Sequence, residues 1–275
     1  MKHKAWNPTR RNRNIGTVKS GHSQNNRLVV PDRWSGFKVF WEHIVSPVAC
    51  PVVVKGHRLT ILVEPPAIGS IHSATPQDII KILGLVTQEH LEEIDVVVLR
   101  QPKRKEEILR PVWGRFVYYA DLGKYSGAGV YLEAIPLNAV IKWNNKLTPF
   151  NKKELQALDS DGHEIECVKR GYKIKTTPNS VRRTQLFRTL PHEIGHAVDY
   201  LEHSIKPSVE AATEDESDYI RRTFNSKPTL DKEEYANRYA KDFYDRNSDM
   251  LPFERVFDKL ELEKMGLNPD WFVVA

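Results

Sequence analysis

The hydrophobic pattern of this chain changes character at Pro178, and that change limits the fold more than any other feature. Before it, apolar residues fall in short β-rich runs at 52–54, 59–63, 95–100, 115–120 and 129–135. A further hairpin is predicted from 164–169 and 172–176 around Arg170-Gly171. One helix interrupts them, begun by Thr75-Pro76 and carried through Ile79, Ile80 and Leu83, with proline in the first turn, where it is tolerated. After Pro178 the apolar period becomes helical and stays so almost to the end. Strands first and helices last predict an α+β fold, a small mixed or antiparallel sheet packed by a C-terminal run of helices.

At 275 residues the chain is long enough to bury a sizeable core without disulfides. Eight Lys and Arg residues lie in 1–33 against Asp32 alone, whereas the whole chain carries only +5. The body is therefore slightly acidic, and a basic arm over 1–27, without apolar period, is expected to be disordered. The rest, 28–275, reads as a single globular α+β domain. Charge alone would let the arm touch nucleic acid or an acidic surface weakly. Cys50 and Cys167 are too few and too far apart for a disulfide framework or a cysteine zinc ribbon, and both read as buried. No apolar run approaches the roughly 20 residues of a membrane span, and no signal segment is evident, so a cytoplasmic location is expected. The six tryptophans read as core anchors, and the basic run Arg100-Gln101-Pro102-Lys103-Arg104-Lys105 as a solvated turn.

One segment carries chemistry. Leu190-Pro191-His192-Glu193-Ile194-Gly195-His196 contains HExxH. On a helix the two histidines stand one turn apart and can direct imidazole nitrogens at one ion. Zinc takes such nitrogens at about 2.0–2.1 Å and in catalytic sites keeps one position for water, whose pKa it lowers towards about 7. Glu193, about 100° round the helix, is placed to take that water's proton rather than bind the ion. Leu190, Ile194, Ala197, Leu201 and Ile205 form a buried stripe, with His192, His196, Asp199 and His203 on an adjacent one. Gly195, costly inside a helix by about 1 kcal/mol, signals the close approach of another backbone. Pro191 is accommodated if Thr189 caps a new helix near Leu190; otherwise the helix kinks.

A third ligand is required. Asp199 and Glu202 occupy the positions where a metzincin needs Gly and His, which excludes that class. The helix expected over 231–247 has a charged outer face of Glu234, Arg238, Lys241 and Asp245 and an apolar one of Ala236, Tyr239, Ala240 and Phe243. Glu233 stands at the edge of that apolar face and needs a partner, which a divalent cation would supply. Asn237 lies on the same side and is placed to orient a ligand. Glu234, Glu202, Glu210 and Glu214 remain alternatives. Tyr200, His203 and Tyr219 are candidates to stabilise a developing oxyanion.

His192-Glu193-Ile194-Gly195-His196-Ala197-Val198-Asp199, followed by Glu233-Glu234-Tyr235-Ala236-Asn237, resembles the gluzincin metallopeptidases. The first block is similar to the anthrax lethal factor type and the second also to the ImmA/IrrE type. The resemblance covers roughly 189–247. It implies a zincin-like fold with its catalytic core in about 111–275, zinc held by His192, His196 and Glu233, and a peptide or protein substrate cleaved with Glu193 as base. Zincins receive substrate as a strand added to a sheet edge, and 129–135 is the expected edge. The rival expectation is a regulatory, non-hydrolytic or nucleic-acid-associated binding protein on a metallopeptidase-like fold.

Overall fold

The structure, a computed structural model, describes residues 40–103, 112–137, 139–251 and 253–272. The arm at 1–27, Trp6, Trp34 and the Arg104-Lys105 end of the basic run lie outside the described residues. All that follows belongs to the unit Trp41–Ala275.

The fold is mixed α and β. A five-stranded sheet has the order β1 (Val48–Val54), β2 (His57–Val63), β4 (Val96–Arg100), β6 (Ser126–Glu133) and β5 (Gly114–Asp121). Its outer pairs are antiparallel and its inner pairs, β2 with β4 and β4 with β6, are parallel. β4 is buried along its whole length, as a central parallel strand covered on both faces must be. A pair, β3 (Ser70–Ile71) with β7 (Ile135–Pro136), and an antiparallel trio, β8 (Val140–Asn144), β10 (Gly171–Lys175) and β9 (Glu164–Val168), flank it. No helix among the described residues is long and apolar enough to cross a membrane.

The expected edge strand is corrected. Residues 129–133 lie in β6, between β4 and β5, and β5 is the edge. The run Gly129-Val130-Tyr131-Leu132-Glu133 is buried throughout, which suits an interior strand. Two exposure readings also change. Cys167 is exposed on β9, at the rim of the small trio. Arg100 is fully buried, its Nη1 3.0 Å from Glu133 Oε1, with Arg115 on the same carboxylate.

Helix α1 (Pro76–Leu83) starts at Thr75 in a capping box closed by Asp78, and α2 (Gln88–Leu91) follows it. Helix α3 (Pro149–Ser160) separates β8 from β9. The main helical element is one continuous rod. It comprises α4 (Pro178–Thr184), a π turn (Gln185–Thr189), α5 (Leu190–Tyr200), a second π turn (Leu201–Ile205) and α6 (Lys206–Glu210). Thr189 therefore caps nothing; it is helical, without a side-chain cap bond. Each π turn ends one residue before a dipeptide ending in proline, Leu190-Pro191 or Lys206-Pro207. Proline lacks an N–H and its ring clashes with the carbonyl four residues back, and a wider turn relieves both. Leu190 N–H accordingly reaches back to Gln185 and Lys206 N–H to Leu201.

The rod lies on the sheet through Leu186, Leu190, Ile194, Ala197 and Val198, all buried with Val97, Leu99, Val130 and Leu132. Burial of each large apolar side chain contributes about 1.5–3 kcal/mol. Polar anchors fix its register. Arg182 forks onto Asp78 at 2.8 and 3.0 Å, and Gln185 Nε2 donates to the carbonyls of Glu133 and Trp113 at 2.8 and 3.1 Å. Helices α7 (Glu214–Ser226) and α8 (Thr229–Asn247) return across it, and α9 (Lys259–Lys264) follows near the end.

Candidate metal centre

Helix α8 meets α5 at Gly195. A methyl group there would stand 2.9 Å from the Ala236 Cα and 3.0 Å from the Tyr239 Cβ, so only glycine lets the two backbones come this close. Ala236, Tyr239 and Phe243 are buried against α5, while Glu234, Arg238, Lys241 and Asp245 face solvent. That orientation sets Glu233, half-buried, at the edge of the contact beside the two histidines.

Glu233 Oε2 lies 3.3 Å from His192 Nε2, and Oε1 lies 3.7 Å from His196 Nε2. The two imidazoles stand 4.8 Å apart, centroid to centroid, with planes at 89°. One ligand atom each from His192, Glu193 and His196 falls within a 4.8 Å group. The structure thus brings together His192, His196, Glu193 and Glu233, with Asn237 beside the His192 side chain and favouring its charged form. Of the alternatives, Glu234, Glu210 and Glu214 are exposed, and Glu202 is held by Lys206 at 2.6 Å.

The electrostatics follow from burial. Burial opposes charge on His192, but the Glu233 hydrogen bond, the charges of Glu193 and Glu233, and Asn237 outweigh it and raise its pKa. His196 goes the other way, down to about 4, through burial and the neighbouring His192 charge. Glu233 is lowered, first by its hydrogen bond to His192. Burial pushes Glu193 up to about 7, although the His192 charge and a hydrogen bond from the Phe116 backbone N–H favour its ionised form.

The remaining candidates serve different neighbours. Asp199 is fully buried and holds Lys227 Nζ at 3.0 Å and His203 Nδ1 at 2.9 Å. Tyr200 packs edge-on against Tyr118 and beside Phe224, and Tyr219 is exposed. Tyr118 was not legible in the sequence. It sits where the β5–β6 register slips by one residue between Val117 and Ala120, a bulge that turns its ring onto Tyr200. Burial and the nearby Asp199, Tyr200 and Glu233 push its phenol up to about 12, so it keeps its proton.

A cleft of about 840 Å³ opens beside His192, Glu193 and Glu233. Its walls come from the start of β5, from α3, from the first π turn and from α8, and include Trp113, Trp143, Phe187 and Tyr244. Thr184, Arg188 and His192 recur at intervals of four along the rod and all line it. A regular α-helix drifts about 40° over each such step. The wider π turn winds back against that drift and holds the three on one face. Trp113 and Trp143 are thus cleft walls as well as anchors, which no sequence period announced. No family model, no curated protein and no solved structure matches this chain, and the gluzincin resemblance stands on its motif residues alone.

Proposed function

We propose that this chain is a zinc-dependent metalloendopeptidase. The observation that carries the reading is the carboxylate of Glu233, delivered from a separate helix to 3.3 and 3.7 Å from the two Nε2 atoms of HExxH. The donor set fits zinc: two ligand atoms each 2.0–2.1 Å from a tetrahedral ion stand about 3.3–3.4 Å apart. Two imidazoles and one carboxylate would hold the ion. Bound there, zinc would supply Lewis-acid polarisation and a water pKa near 7.

The chain's own groups do the rest. Glu193, buried at the floor of the cleft and oriented by the Phe116 N–H, accepts a proton from the attacking water and delivers it to the departing amine. Asn237, beside His192, is placed to orient its ring. The substrate adds to β5, the edge strand whose Phe116 N–H meets Glu193, and main-chain hydrogen bonds give affinity there.

The test is Glu193→Gln. Peptide cleavage by the purified chain should fall by about 10²–10⁴-fold while one zinc per chain is retained. Cleavage at the wild-type rate by that variant would reject the proposal.

A further inference from the structure

The cleft holds two guanidinium groups with different partners. Arg188 is fixed by Nε on Asp161 at 2.7 Å and Nη1 on Glu154 at 3.0 Å, while Thr184 donates to the same Asp161 oxygen. These contacts consume both carboxylates at that end of the cleft and leave Arg188 Nη2 buried without an acceptor. Arg183 Nε is also buried without one, and among the described residues Arg183 has no hydrogen-bond or ion-pair partner. Lys241, the other cation on the wall, is spent on Asp245. Among the described residues Arg183 is thus the cation of the cleft wall without a carboxylate partner.

Buried N–H groups without acceptors are rare because each forfeits its hydration for nothing. A guanidinium without a partner on a cleft wall suits an acceptor with two oxygens in a plane. The aromatic walls formed by Trp113, Trp143 and Phe187 would cover the apolar part of the same ligand.

We propose that this cleft is a carboxylate-binding subsite, in which Arg183 selects peptides carrying an acidic side chain or a free C-terminal carboxylate within a few residues of the bond presented to Glu193. The inference rests on the peptidase reading for the identity of its ligand, but its test reads binding rather than cleavage. The full chain carrying Glu193→Gln is titrated with acetylated hexapeptides that differ only in Glu against Gln at one position, each made with a free and with an amidated C-terminus. Fluorescence of Trp113 and Trp143, on the cleft wall, reports binding.

The expected result is binding about tenfold or more tighter for the peptide with the carboxylate, from the side chain or from the terminus according to which pair responds. Adding Arg183→Gln should abolish that preference while the Gln, amidated peptide binds as before. Arg183→Lys should restore part of it. Unchanged thermal unfolding of the Arg183 variants shows that they fold, as expected for a side chain with no partner among the described residues. A preference that survives Arg183→Gln, or equal binding of acidic and amide peptides, overturns the subsite. Wild-type chain that binds acidic peptides selectively yet cleaves none would instead sink the peptidase reading and leave the subsite standing.

Discussion

Two clusters of histidine and carboxylate draw on the same helical rod, and they differ in how their charge is balanced. Glu89, His90 and Glu202 converge closely enough to suggest a metal site. There Lys206 Nζ lies 2.6 Å from both Glu89 and Glu202, and those two carboxylates raise its pKa. His90 Nδ1 is 3.0 Å from the Tyr239 hydroxyl. The protein supplies its own cation and the cluster is complete. Around Glu233 the partners among the described residues are the two imidazoles, with no lysine or arginine. Ligand types recur in both places; a missing positive charge marks only one.

The largest effect that would break this comparison is Glu233→Ala. Loss of an outer-sphere partner costs about 10–100-fold in metal affinity, and loss of a ligand should exceed that. Competition against a zinc chelator checks it, and Glu202→Ala should leave the affinity unchanged. A second test uses histidines that belong to neither cluster. His72 is wholly buried with Nε2 2.7 Å from the Glu64 carbonyl, and burial drives it down to about 4; burial does the same to His163. Both titrate near 6.5 once unfolded, so unfolding takes up protons between about 6.5 and 4. Stability should fall as pH drops through that window, by up to about 1.4 kcal/mol per pH unit for each histidine, and these groups should add no slope above it. Urea unfolding across pH measures the slope, and His72→Gln should reduce it.

Smaller again is Gly195→Ala. Helix propensity favours alanine by about 1 kcal/mol, but its methyl would meet the Ala236 backbone at 2.9 Å. Overpacking costs about 1–3 kcal/mol, so the net effect should be destabilising, with weakened zinc binding as α8 is displaced. The smallest is Lys206→Met. It removes two exposed ion pairs, to Glu89 and Glu202, and the unfolding midpoint should barely move. It should also create weak divalent-cation binding at Glu89, His90 and Glu202, visible by calorimetry, if charge balance is what separates the clusters.

Much of the candidate site was legible because its signals are local. Four-residue spacing puts His192 and His196 on one face, and the apolar stripe of the following helix turns Glu233 to its edge. Gly195 gave notice of the close helix contact that joins them. The edge strand depended on pairing between distant segments, and the near-continuous apolar run in β6 was the available sign that it lies inside. The π turns escaped because Pro191 fits a helix start as well as a helix interior, and local sequence does not decide between them. The cleft arginines escaped because a missing partner shows only once α3, the rod and α8 are assembled.

The most direct measurement is anomalous X-ray scattering at the zinc edge from crystals of the full chain grown with zinc. The geometry predicts one strong peak about 2.0–2.2 Å from His192 Nε2, His196 Nε2 and a Glu233 oxygen. A peak at Glu89, His90 and Glu202 instead, or none between the two imidazoles at saturating zinc, would contradict it.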